Sequence, residues 1–170
     1  MAVNRYALVF DVDRCFGCHG CEVACQQEHD LSAEQTWIRI QQVGPKQVGG
    51  KMQMRFIPRL CMHCHAPLCM KACPVGAIGR ADSGFIWIDS QKCNGCLDCT
   101  WACPHGAMQF DAIRNLAHKC NLCPERIAVG LLPSCAHHCP AKAITLVKPG
   151  DSSPEEGRKV ISSGLVKIVY

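Results

Sequence analysis

Sixteen of the 170 residues are cysteine, and they fall into four runs. The third run is the most regular. Cys93, Cys96 and Cys99 stand two residues apart, Cys103 follows after a further three, and Pro104 closes the run. The first, Cys15, Cys18, Cys21 and Cys25, has the same spacing with Gln26 in place of the proline. The second, Cys61, Cys64, Cys69 and Cys73, has a middle gap longer by two residues and ends on Pro74. The fourth, Cys120, Cys123, Cys135 and Cys139, has an eleven-residue gap and ends on Pro140. Three thiolates two residues apart on a tight loop can wrap three corners of one cubane iron–sulfur cluster. The fourth, three residues on and expected at the start of a helix, points away toward another cluster. Four sets of four leave no thiol over, so the count predicts four [4Fe-4S] clusters, with all sixteen cysteines as iron ligands.

Zinc and a redox dithiol are the competing readings of a CxxC pair. Zinc sites commonly use two separated pairs and need neither a triple at two-residue spacing nor a trailing proline. Two runs carry the triple and three carry the proline, which favours iron–sulfur. A histidine-ligated cluster would replace cysteines, yet every cysteine position is filled. His63, His65, His105, His137 and His138 therefore read as hydrogen-bonding or surface residues. Trp101, between Cys99 and Cys103, reads as packing that shields a cluster from water. No G-x-S-x-G, H-E-x-x-H, phosphate loop or G-x-G-x-x-G is present, so no catalytic residue for an organic substrate is expected.

The bulk numbers agree. So many thiols in a short chain would suit a secreted disulfide scaffold, but the first residues carry no basic-then-apolar leader pattern and no Arg-Arg pair occurs. A cytoplasmic, reducing location is the expectation. No apolar run approaches the roughly 18 residues of a membrane span. The formal charge of +4 would fall to about −4 once four clusters, each near −2 with its thiolates, are bound, and the basic residues form no block. Nucleic acid is therefore not an expected partner.

The elements that must hold the runs are short. Residues 6–11 read as a strand leading into the first run, and 22–29 as a helix. Residues 36–43 and 52–57 alternate and read as a β-hairpin insert with a loose loop, either plain surface or a docking surface. Residues 78–80 and 85–89, across Asp82-Ser83-Gly84, read as a second hairpin, and the gap before Cys135 as containing a short helix. Cys-Pro-x-x-Ala recurs at 73–77, 103–107 and 139–143, and Phe10-Asp11 before the first run echoes Ile88-Asp89 before the third. The repeating unit is strand, cysteine loop, short helix, Cys-Pro turn, strand, which is half a bacterial ferredoxin. After Val147 the composition turns polar, and 160–170 regains apolar residues suited to an edge strand or to docking.

The four runs in this order resemble the four-cluster iron–sulfur subunits of molybdenum and tungsten oxidoreductases, of which the dimethyl sulfoxide reductase subunit is the best known. The resemblance covers roughly residues 6–147. It implies an α+β fold of two ferredoxin-like lobes, a duplicated two-cluster ferredoxin with a β-hairpin insert and a C-terminal tail. Lobe A takes runs 15–25 and 120–139 and lobe B runs 61–73 and 93–103, within a domain 1–147 followed by a linker and docking tail 148–170. It also implies the ligand sets. Cluster 1 takes Cys15, Cys18, Cys21 and Cys139; cluster 2 takes Cys25, Cys120, Cys123 and Cys135; cluster 3 takes Cys61, Cys64, Cys69 and Cys103; cluster 4 takes Cys73, Cys93, Cys96 and Cys99. The expected role is non-catalytic electron transfer, with a tungsten- or molybdenum-pterin catalytic subunit at one end and a flavin, ferredoxin or quinone partner at the other. The short chain looks closest to small cytoplasmic members such as those serving tungsten aldehyde oxidoreductases, although some members are exported on a partner's signal. Self-association end to end, a free polyferredoxin shuttle and a zinc-bound structural module are the other readings.

Overall fold

The computed structural model describes residues 6–151, 160–162 and 166–169. Among these residues ten strands and five helices, most of them short, are arranged so that every cysteine run is bracketed by strands. The first run lies between β1 (Ala7–Asp11) and β2 (Ile38–Val48), and the second between β3 (Lys51–Leu60) and β4 (Ile78–Arg80). The third lies between β5 (Ile86–Ile88) and β6 (Gln109–Asp111), and the fourth between β7 (Leu116–His118) and β8 (Ile144–Val147). Each strand leaving one run pairs antiparallel with the strand entering the next: β2 with β3, β4 with β5, β6 with β7. The series closes on itself, because β8 pairs with β1.

The repeated Asp has a local cause. Asp11, Asp89 and Asp111 each end or follow a strand and accept the backbone N–H two residues on, at 3.1, 2.9 and 2.9 Å. These are Asx turns, which bend the chain out of a strand without leaving the N–H unpaired.

The insert hairpin differs from its expectation. Its turn is not loose: Val48 pairs with Lys51 across Gly49-Gly50, and both glycines have positive φ, 57° and 80°. Two such residues suit the twist of a tight two-residue hairpin, which most other side chains resist. Gly44-Pro45 is absorbed as an irregularity within the ladder, between Val43 and Lys46. Ile38, Ile40 and Leu60 bury the base of the hairpin, and its far end is exposed.

The C-terminal stretch joins the sheet. β9 (Val160–Ser162) pairs antiparallel with β10 (Val166–Val169), and β10 runs parallel to β1, giving the order β8-β1-β10-β9. β10 is thus an inner strand, with Val166 at 0% exposure, and β9 forms the edge. Parts of the expected linker and tail, 152–159, 163–165 and 170, lie outside the described residues.

Among the described residues two larger apolar cores result, with a small third cluster of Ala7, Val9 and Val147. One joins Leu8, Phe10, Ile38, Leu60, Leu122 and Val166 around the first and fourth runs and reaches Cys61, Cys64 and Cys103; the other joins Ile78, Ile86, Met108 and Ala117 around the second and third.

Candidate metal centre

The helices carry the thiols. α1 (Gly20–Glu28), α2 (Leu68–Ala72), α3 (Asp98–Ala102) and, after the short α4 (Pro124–Ala128) in the gap of the fourth run, α5 (Ser134–His137) hold Cys21, Cys69, Cys99 and Cys135 in their first turns. The last cysteine of each run lies toward or beyond the helix end rather than at its start. Cys73 and Cys103 cap α2 and α3, Cys139 follows α5, and only Cys25 remains inside its longer helix. A residue four beyond the third cysteine thus leaves the loop that holds the other three.

Backbone geometry explains the Cys-Pro-x-x-Ala repeat. Gly76, Gly106 and Lys142 all adopt positive φ and donate N–H to the carbonyls of Cys73, Cys103 and Cys139. The following N–H groups of Ala77, Ala107 and Ala143 then reach Cys73, Cys103 and Cys139 Sγ at 3.2, 3.4 and 3.3 Å. The small alanine side chain is buried against the core in each case. On the loops, Gly17, His63, Gly95 and Leu122, each two residues after the first cysteine of its run, also have positive φ. Successive N–H groups around such a left-handed residue form a concavity suited to an anion.

All sixteen cysteines are free thiols. Cys15, Cys18, Cys21 and Cys139 line one small cavity, Cys25, Cys120, Cys123 and Cys135 a second, and Cys73, Cys93, Cys96 and Cys99 a third. Cys61, Cys64, Cys69 and Cys103 form the remaining neighbourhood: Cys103 and Cys64 act on Cys61, and Cys61 and Cys103 act on Cys69. Among the described residues no three His, Cys, Asp or Glu side chains are close enough to hold a single metal ion. Four sulfurs around a cavity with backbone N–H groups aimed inward fit a larger, anionic iron–sulfur group.

Burial pushes the thiols up. Cys21 and Cys25 reach about 12, with neighbouring acidic groups adding to the effect, and Cys69 and Cys99 about 11. Burial raises Cys120 and Cys135 as well. Such thiols stay protonated at neutral pH unless a metal displaces the proton.

The histidines are diverse. His63 is 1% exposed, and its Nδ1 accepts from the Ile86 N–H at 3.0 Å. Its Nε2 completes no hydrogen bond, although the Cys120 carbonyl is near enough to act on it. Burial first, then the Lys119 charge, holds its pKa well below the ordinary value. His29, which the sequence did not single out, stacks on Trp37 at 4.2 Å and places Nε2 3.4 Å from Cys123 Sγ. The Trp37 indole N–H donates to His118 Nδ1 at 2.5 Å. Trp101 does not shield a cluster: on the short α3 its ring faces outward and is 87% exposed. Lys119 also escaped notice, because one lysine beside a cysteine run carries no pattern; it is 4% exposed.

Four sets of four thiols, each with backbone donors at its rim, define an iron–sulfur protein. A family model described as a 4Fe-4S dicluster domain matches residues 52–149, and a second of the same description matches 14–77. Two dicluster domains and sixteen cysteines correspond to four [4Fe-4S] clusters. One component of the anaerobic dimethyl sulfoxide reductase of Escherichia coli is 34% identical over 152 residues, covering 83% of this chain and 72% of its own length. The putative dimethyl sulfoxide reductase iron-sulfur subunit of Halobacterium salinarum is 33% identical, covering 83% of this chain and 65% of its own. A component of the tetrathionate reductase of Salmonella typhimurium is 36% identical, covering 80% and 55%. This protein belongs to the dimethyl sulfoxide reductase iron–sulfur subunit family. Among the described residues no helix is long and apolar enough to cross a membrane.

Proposed function

We propose that this chain is a non-catalytic electron-transfer subunit that relays single electrons through four clusters in a line, from cluster 1 to cluster 4 or the reverse. The ligand sets are those implied by the family: Cys15, Cys18, Cys21 and Cys139; Cys25, Cys120, Cys123 and Cys135; Cys61, Cys64, Cys69 and Cys103; Cys73, Cys93, Cys96 and Cys99. The observation that supports the reading is the gathering of thiols from two runs around each of three cavities: Cys139 with Cys15, Cys18 and Cys21, Cys25 with Cys120, Cys123 and Cys135, and Cys73 with Cys93, Cys96 and Cys99. When bound, the clusters supply reversible one-electron steps. The protein's share is to hold each set of sulfurs, supply N–H donors from Ala77, Ala107 and Ala143, and bury half of the cysteines.

The finer architecture follows the same reading. Clusters 1 and 2 form one ferredoxin-like lobe and clusters 3 and 4 the other, within residues 1–147. The partner at the cluster 1 end is a molybdenum- or tungsten-pterin catalytic subunit, since the relatives are named as parts of dimethyl sulfoxide, tetrathionate and sulfite enzymes. An aldehyde oxidoreductase is a narrower choice within that class, and a flavin, ferredoxin or quinone partner takes the far end. Sixteen free thiols suit a reducing, cytoplasmic location, or export folded on a partner's signal.

The test is iron and acid-labile sulfide per chain in anaerobically purified protein. About sixteen of each, with brown absorption that bleaches on dithionite, supports the relay. Stoichiometric zinc and no visible band, in protein never exposed to air, would replace it with a zinc scaffold.

A further inference from the structure

Lys119 is a buried ammonium at the junction between the two halves of the molecule. Its Nζ donates to the Ile86 carbonyl at 2.5 Å and to the Cys120 carbonyl at 3.1 Å. Ile86 belongs to β5, in the core around the second and third runs, while Cys120 opens the fourth run. An ammonium has three N–H donors and a full charge, and two neutral carbonyls do not balance that charge. Among the described residues no carboxylate lies within ion-pair distance of it. A buried charge without a counter-charge is costly, so one is expected nearby. The candidates on either side are sulfurs: the Lys119 charge acts on Cys120 of one set and on Cys61 and Cys69 of the next. Two carbonyls alone could be satisfied by an amide side chain, which would carry no charge.

We infer that the Lys119 ammonium is the shared counter-charge of clusters 2 and 3, raising the reduction potentials of both and setting the electron step between the lobes. A nearby positive charge favours the more negative, reduced state of each cluster. In the step itself one electron leaves one cluster and enters its neighbour, with no other reactant. The inference rests on the four-cluster relay.

The test is a potentiometric titration of the holoprotein by electron paramagnetic resonance, comparing the native chain with K119Q and K119R. Signals are assigned with Cys123→Ser for cluster 2 and Cys64→Ser for cluster 3. K119Q, which keeps donors and loses the charge, is expected to disfavour reduction of clusters 2 and 3 about tenfold, near 59 mV for a one-electron couple. Clusters 1 and 4 should be unchanged, and K119R should leave all four in place. Unchanged potentials in K119Q with full iron would overturn the inference. So would an equal shift in K119R, or a shift confined to clusters 1 and 4. Iron lost from K119Q but kept in K119R supports it, since both retain donors and differ in charge; iron lost from both makes the residue purely structural and overturns it. Native protein without about sixteen iron atoms would instead fail the relay on which the inference rests.

Discussion

Cys103 and Cys73 occupy equivalent places, each capping a five-residue helix and each accepting an alanine N–H four residues on. They differ in the thiols around them, and the difference is testable. Cys103→Ser should disturb the cluster held with Cys61, Cys64 and Cys69, and leave intact the one held by its own run mates Cys93, Cys96 and Cys99. Loss of the latter signal first, in electron paramagnetic resonance of the variant, would reverse the assignment. Protonation makes a second residue-scale prediction. Cys21 and Cys25 titrate near 12 in the cluster-free fold, against an ordinary 9.0, because burial disfavours the thiolate. A raised folded value stabilises the cluster-free chain fully below about pH 9, and that stability is lost as pH climbs through 12. Iron ligation has the opposite sense, since each thiol must give up its proton, so holding iron becomes easier as pH rises. Iron transfer from the holoprotein to a chelator should therefore quicken as pH falls from 8 to 6. A rate independent of pH would contradict this.

At the scale of elements, the cysteine loops and Cys-Pro turns depend on left-handed residues, but not equally. Gly76 has φ of 62° with nothing within 4 Å of where a Cβ would stand, and its counterpart Lys142 already tolerates φ of 51°. Gly95 has φ of 72°, and a Cβ there would come within 2.5 Å of the Asn115 side chain and 2.8 Å of its carbonyl oxygen. Gly76→Ala should cost about 1–2 kcal/mol of backbone strain. Gly95→Ala adds the displacement of Asn115 and should cost more, with loss of iron from its loop. Denaturation midpoints and iron content of the two variants measure the contrast. The β2–β3 and β4–β5 hairpins were legible because alternation and turn residues are local signals, whereas the three-residue strands of β6–β7 carried too little pattern to be read. The tight Gly49-Gly50 turn was partly obscured by Gly44-Pro45, a breaker pair that the ladder absorbs as an irregularity.

At the scale of the whole molecule, ligand spacing was legible because a cluster imposes it on a few consecutive residues. Grouping sulfurs across runs required the family likeness, since the spacing within a run does not say which distant run completes a set. Three features escaped the sequence for physical reasons. The 166–169 stretch is four residues long, too short to distinguish an edge strand, a docking segment and the inner strand it becomes. Lys119 and Trp101 are single residues whose burial depends on packing rather than on any pattern. The inner strand carries its own prediction. Val166 is fully buried against the first core, so Val166→Ala should cost about 2 kcal/mol through lost burial and the cavity left behind. A thermal melt of the holoprotein would register it, and an unchanged midpoint would place β10 outside the stable core.

The closed series of strand pairs also sets an order of manufacture. β4 and β5 are separated by five residues, whereas β1 meets β8 only after more than a hundred have been added. On the ligand sets proposed, every thiol of clusters 3 and 4 has left the ribosome once residue 103 has emerged. Clusters 1 and 2, begun by the earliest cysteines, wait for Cys135 and Cys139. The amino-terminal loop is thus first to be synthesised and last to be sealed, and through that interval its thiols stand open to oxidants and stray metal ions. On that order, a cell making this protein in air would lose the clusters that use the first run before those completed by Cys103.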